Sequence, residues 1–246
     1  MTSFRTTWAD GGRSLGAWCC LADPVALQLI AGQGYDWVCV DRQHGMATDA
    51  STPTLLHAIA HAGATPVVRV RWNTPGEIMW ALDMVAHAVI VPMVESAAEA
   101  ALAAAACRFP PRGIRSYGPV RGAFGPDTAT NDAGVACLVM VETVGALAVV
   151  EEIAAVDGVD GIFVGPTDLA ISLGVTPGTT PPVLVEAAAR IVAACEKAGI
   201  VPGIYGGEPE RARFWADRGF RVISVITDTA LVSQAAAAAL RAFGEP

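Results

Sequence analysis

The chain has 246 residues, 53% hydrophobic and 16% charged, which is enough apolar material for a large core and too much for a disordered chain. A formal charge of −8, with no basic stripe, excludes a DNA or RNA partner. No apolar run is long enough to cross a bilayer as a helix, and the opening MTSFRTTWADGG lacks the apolar centre of a signal peptide, so no membrane role is expected.

In chain order, short β-branched runs predict strands at Leu15–Leu21, Trp37–Asp41, Pro66–Arg71, Val89–Val94, Cys137–Glu142, Gly161–Gly165, Val201–Tyr205 and Val222–Ile226. Ala-rich stretches of helical periodicity alternate with them: Pro53–Ala62, Ser96–Arg108, Gly145–Ala155, Pro182–Ala198 and Pro209–Arg218, with Leu231–Phe243 as the last helix. Continuous apolar strands between helices imply a parallel sheet covered on its outer face. Eight such units predict one closed (β/α)₈ barrel over residues 1–246. A doubly wound open sheet is the alternative, weakened because no GxGxxG follows the first strand. The segment Pro110–Asn131, rich in Gly, Pro and Arg, is the long loop, of a kind that serves function or contacts a neighbour. Six cysteines (Cys19, Cys20, Cys39, Cys107, Cys137, Cys195) form no CxxC pair and lie mostly in apolar runs, which fits a reducing cytoplasm.

In such a barrel the reacting groups gather at the C-terminal ends of the strands. Those ends read DRQHG (Asp41–Gly45), RVR (Arg69–Arg71), VPMVE (Val91–Glu95), MVET (Met140–Thr143) and GPTD (Gly165–Asp168). Glu142 and Asp168 follow neighbouring buried strands, and without a nearby lysine they would repel unless a cation lay between them. A hard divalent ion with water and substrate in its other positions suits such a pair, and it polarises carbonyls. Both carboxylates equally suit helix capping, and spacing does not decide between the two. His44 has the chemistry of a proton carrier, against a histidine satisfied by a local hydrogen bond. Arg69 offers a fork for a carboxylate or oxyanion, or an ion pair with Asp41, and the two roles are compatible. His57 and His61 are four apart but lack the Glu of HExxH, so they read as surface or interface residues. His87, Asp157 and Asp160 precede strands, on the stability face. The single lysine, Lys197, ends a helix just before a strand, at the bottom of the barrel. A Schiff-base aldolase needs its lysine in the pocket, so a ketoacid enolised here requires a metal as electron sink.

GYDWVCVDRQHG, TPVVRV, VPMVESAAEA, FPPRGIRSYGP, VETVGAL, AVDGVDGIFVGPTDLAISLG and PGIYGG, in this order from about Leu15 to Ala230, resemble the class II pyruvate aldolases of the 4-hydroxy-2-oxoheptanedioate aldolase family. The resemblance implies a phosphoenolpyruvate/pyruvate-binding type of TIM barrel. It also implies a last helix exchanged between subunits and a homo-hexamer built as a trimer of dimers. It implies reversible aldol cleavage of 4-hydroxy-2-oxoacids to pyruvate, or hydroxypyruvate, and an aldehyde through a metal-stabilised enolate. By the match, Glu142 and Asp168 bind Mg²⁺, Mn²⁺ or Co²⁺. Arg69 stands by the keto oxygen, and His44 is the base, acting through a water on the metal. Gly165, Pro166, Thr167 and Asp168 form a turn whose N–H groups meet the substrate carboxylate.

Three departures bear on the substrate. Gln43 stands where much of the family has Glu, and Met140 where many members have Gln. Gln43 removes one acid from the metal's outer shell, and both changes are similar to a branch of hydroxy-ketoacid aldolases that accept donors such as hydroxypyruvate, which points away from the heptanedioate substrate. Asp83 matches an aspartate that pairs with the histidine, yet it precedes a strand, so a neighbouring subunit would have to deliver it. Asp41 is the local competitor for orienting His44. The alternatives are a citrate-lyase-like CoA-ester lyase, with Arg112, Arg115 and Arg121 as the candidate phosphate ligands, and a non-catalytic barrel that binds or assembles.

Overall fold

A computed structural model describes residues 4–9, 11–118 and 127–244. Its strands are β1 (Ser14–Cys19), β2 (Trp37–Asp41), β3 (Thr65–Arg69), β4 (Ala88–Val91), β5 (Ala136–Val141), β6 (Gly161–Val164), β7 (Val201–Tyr205) and β8 (Val222–Thr227). They close in sequence order, every pair parallel, β8 returning to β1 with a register shift at Gly16/Ala17. The predicted barrel is therefore observed.

Proline sets the start of many of the helices. Pro24–Ala31, Thr52–His61, Pro75–Asp83, Pro166–Ser172, Pro182–Ala198 and Pro209–Ala216 all carry Pro in the first turn, where its missing N–H has no intrahelical partner to lose. Side-chain caps add to this: Asp23 accepts from the Ala26 N–H at 2.7 Å and Ser96 from that of Glu99 at 3.2 Å. Two expectations shift in detail. The run Gly145–Ala155 is two short helices, Val144–Ala148 and Val150–Ala154, meeting at Val149 in a non-helical conformation. The strand expected through Val94 stops at Val91, because Pro92 has no N–H and Met93 takes a φ of 54°. The long loop ends in the helix Thr128–Ala133, while residues 119–126, with Arg121 and Phe124, lie outside the described residues.

Strand alternation sorts side chains into two cores. Inside the barrel lie Trp37, Cys39, Val67, Ile90, Leu138, Phe163, Val201 and Val222. Phe4 and Trp8, packed edge-on at 4.7 Å, add aromatic area, Phe4 meeting Trp37 at 6.3 Å. Outward-facing Val38, Val40, Val68, Val139 and Ile204 pack on helix residues such as Leu27, Leu55, Ile78 and Ile191. Each such side chain contributes about 1.5–3 kcal/mol of transfer free energy, an upper bound against a compact unfolded chain. Gly16 of β1 makes room for this packing: a Cβ there would lie 2.1 Å from the Trp37 ring.

The helix Asp228–Phe243 is the exception to this burial. Asp228 is its one buried residue, while Leu231, Val232, Leu240 and Phe243 are exposed. No helix among the described residues is long and apolar enough to cross a membrane.

Candidate active site

At the C-terminal mouth lies a cavity of about 230 Å³ lined by Trp18, Cys20, Asp41, His44, Arg69, Met140, Gly165, Pro166, Thr167, Asp168 and Tyr205. The last residues of β2 and β3, Asp41 and Arg69, are register partners, so their side chains leave the ladder together. Arg69 donates from Nε and Nη2 to the two Asp41 oxygens at 2.9 and 2.5 Å, and its guanidinium lies 5.0 Å from the Trp18 ring. Trp18 Nε1 also donates to Asp41 at 3.2 Å. Burial opposes the charge on Asp41, but its bonds and attraction to Arg69 prevail and hold the carboxyl below its usual range. Arg69 thus makes the anticipated ion pair while its Nη1 has no hydrogen bond among the described residues.

The other Asp41 bonds reach into the following loop: Oδ1 accepts the backbone N–H groups of Gln43 at 3.0 Å and His44 at 3.2 Å. Asp41 therefore fixes the backbone of His44 and not its imidazole, which is exposed and makes no hydrogen bond to the described residues. Gly45 permits the turn, since a Cβ there would sit 2.2 Å from the Asp41 carbonyl oxygen. The Gln43 side-chain oxygen is buried without a partner among the described residues.

Glu142, just past β5, is 3% exposed, and its Oε1 accepts the Met93 N–H at 2.7 Å. The left-handed conformation of Met93 aims that N–H, a backbone region rarely taken by residues with a Cβ. Burial most of all, then Asp168 and Glu95, raise the Glu142 pKa, with the Met93 bond and Arg69 opposing. Its Oε2 is 2.6 Å from where a Cβ at Gly165 would stand, so glycine keeps that oxygen's surroundings open. Asp168 is exposed in the first turn of Pro166–Ser172, a helix whose N-cap makes no side-chain hydrogen bond. Neither carboxylate caps a helix, which removes the competing structural role. No three His, Cys, Asp or Glu side chains among the described residues could hold a metal by themselves. What the mouth offers is two hard oxygen donors, one buried and one exposed, a set that fits a hard ion sharing its other positions with water and substrate.

Comparison with known proteins decides the family. A family model described as HpcH/HpaI aldolase/citrate lyase matches residues 14–235. The chain belongs to the HpcH/HpaI aldolase/citrate lyase family. A hydroxypyruvate/pyruvate aldolase from Rhizorhabdus wittichii is 38% identical over 241 residues, covering 96% of each chain. A 4-hydroxy-2-oxo-heptane-1,7-dioate aldolase from Salmonella paratyphi C is 34% identical over 98% of this chain and 94% of that one. A solved HpcH/HpaI family protein from Burkholderia cenocepacia superposes with a TM-score of 0.90 at 34% identity, covering 97% of this chain and 98% of that chain. The chain is thus an enzyme of the aldolase kind, a carbon–carbon lyase.

Against the HpcH/HpaI family background the remaining residues fall into place. Asp83 ends the helix Pro75–Asp83, ahead of β4, and accepts a hydrogen bond from Arg115 at 3.0 Å; within this chain it is not joined to His44. Arg115 is buried in that pair and against Phe109, so it is not presented for CoA phosphates, whereas Arg112 is exposed. His57 and His61 are exposed on their helix. His87 is buried, which pushes its pKa down to about 4 and keeps it neutral. Asp160 is a structural anchor, bound by Arg5 and Arg108 and by the Cys137 N–H.

Sequence reasoning missed Trp18 and Cys20, because β1 carries no ionisable group other than its cysteines at that end. Inward alternation was the signal that marks Trp18. Burial, then Asp41 and Asp228, push the Cys20 thiol up to about 12, which rules it out as a thiolate nucleophile at neutral pH. The Met93 backbone donor was also missed, since nothing in VPMVE marks a left-handed residue.

Proposed function

We propose that the protein is a divalent-metal-dependent aldolase that reversibly cleaves 4-hydroxy-2-oxoacids to pyruvate or hydroxypyruvate and an aldehyde. One observation carries the reading: Asp41-braced Arg69, exposed His44 and the Glu142–Asp168 pair converge on one mouth that contains no lysine. Glu142 and Asp168 would hold the ion, Mg²⁺, Mn²⁺ or Co²⁺, which when bound draws electron density from the ketoacid carbonyl. Gln43, its buried oxygen unpaired among the described residues, and Met140 would border that ion and set the donor preference.

Arg69, immobilised through Nε and Nη2, would turn Nη1 to the keto oxygen, where negative charge grows as the bond breaks. His44 would take the proton of the 4-hydroxyl at an imidazole nitrogen. The C3–C4 electron pair then passes to the ketoacid fragment as its enolate, and the aldehyde leaves. Return of a proton to C3 completes the ketoacid. The backbone N–H groups of Gly165–Asp168 would meet the substrate carboxylate, with Pro166 and Thr167 shaping the turn. Asp83 of a second copy would orient the His44 imidazole, which makes no hydrogen bond to the described residues.

The exposed face of the last helix supports an assembly in which another subunit covers it, a homo-hexamer arranged as a trimer of dimers with that helix exchanged. Six unpaired cysteines support a reducing cytoplasm as its place of work. The 38%-identical relative carries hydroxypyruvate in its name, and Gln43 and Met140 favour that donor here. The test is aldol addition of pyruvate and of hydroxypyruvate to a panel of aldehydes with added metal. Turnover with hydroxypyruvate at least equal to that with pyruvate is expected, and failure of both donors would defeat the reading.

A further inference from the structure

Arg42 is a charged side chain with no place in the chemistry above, yet it is fully buried two residues before His44. Its backbone N–H continues the β2–β3 ladder to the Arg69 carbonyl at 3.0 Å. Its guanidinium stacks 4.1 Å over the Trp80 ring, bonds Asp49 through Nη2 and lies 3.7 Å from Glu77. Glu77 is held in turn by Arg71, which donates from Nε at 2.9 Å and Nη2 at 2.5 Å. Asp49 lies at the far end of the loop that carries His44, while Glu77 and Trp80 belong to the next β/α unit. The loop is therefore gripped twice: from inside by Asp41 on the His44 backbone, and from outside by Arg42, which ties its start to its end and to the neighbouring helix.

This grip matters because the His44 imidazole makes no hydrogen bond to the described residues, so backbone placement sets where it points. Burying a guanidinium is costly, the more so here because Nε and Nη1 have no hydrogen bond among the described residues, a cost that an ordinary surface loop has no reason to bear. From these contacts we infer that Arg42, acting with Asp49 and Glu77, is a positioning residue that holds the His44 loop in register with the Arg69 side of the cavity. It touches no reacting atom and works through His44. The inference rests on His44 being the base.

The experiment is a double-mutant cycle on the metal-loaded enzyme with Arg42→Met, Asp49→Asn and His44→Ala. Misplacing a reacting group by about 1 Å costs on the order of a hundredfold in rate. Arg42→Met should therefore lower kcat roughly ten- to a hundredfold with little change in the ketoacid KM, and Asp49→Asn, at an exposed site, should do the same more mildly. In the His44→Ala background both losses should shrink to less than about twofold, the non-additivity of groups that act as a unit. Equal losses with and without His44, or unchanged kcat in both the Arg42 and Asp49 variants, would overturn the inference. Full activity of His44→Ala alone would instead remove the base assignment, so the two failures are distinguishable. Should Arg42→Met not fold, Asp49→Asn carries the cycle alone.

Discussion

Asp41 shows how one side chain serves both stability and chemistry. It bonds Arg69 twice, accepts from Trp18 and holds two N–H groups of the His44 loop, all at 1% exposure. Its carboxyl is held below the usual range, so its stabilising effect is complete above the unfolded value of about 3.9 and is lost as pH falls through the lower folded value. Asp41→Asn leaves a buried guanidinium without its counter-charge, which costs about 3–5 kcal/mol near neutral pH. Urea unfolding from pH 7 downward should show that gap narrowing below about pH 4, as the wild type also loses the charge. A constant gap across the acid range would mean that packing, not the ion pair, is what Asp41 supplies. The residue-level chemistry was partly legible. Asp41 and Arg69 were named as a pair from their strand ends, but that Asp41 would bind the backbone of His44 depends on how DRQHG turns, which spacing does not reveal.

The elements were the most readable level, because a parallel barrel buries its strands on both faces and leaves continuous apolar runs. β2, β7 and the helix Pro182–Ala198 match their expected bounds, whereas the helices Pro24–Ala31 and Pro75–Asp83 were overlooked. Both begin at Asp-Pro or Thr-Pro-Gly, sequences that signal turns as readily as helix starts. Strand ends at the mouth were read too long for a related reason: Val70 and Val94 are buried and apolar but lie past the last strand residues, Val70 keeping only a final N–H bond to the Ile90 carbonyl at 3.1 Å as the chain turns toward the cavity. A packing relation invisible in the sequence is that of Gly16 with Trp37, from neighbouring strands. Gly16→Ala would press a methyl into the indole and should lower stability by about 1–3 kcal/mol, read as a lower denaturant midpoint. In a Trp37→Leu background, itself destabilised by the lost core volume, the same glycine change should cost less; no loss in Gly16→Ala alone would show that the indole has room to move.

At the scale of the whole molecule, a 16-residue terminal helix with one buried residue is out of keeping with a barrel whose other long helix, Pro182–Ala198, buries seven. A hexamer in sedimentation at micromolar concentration is expected, and Leu240→Glu with Phe243→Glu should shift it to smaller species. A monomeric wild type would contradict the proposed assembly. The central claim concerns the mouth: two carboxylates of which one is buried and raised in pKa, set beside an anchored arginine, with Lys197 far from it on a helix end. The most direct measurement is the rate of ketoacid release from a 4-hydroxy-2-oxoacid before chelation, after it, and after metal is restored, in the wild type and in Asp168→Ala. The wild type should lose about a hundredfold or more on chelation and recover with Mg²⁺, Mn²⁺ or Co²⁺, while Asp168→Ala should stay inactive throughout. Full activity in chelator-treated Asp168→Ala would contradict it.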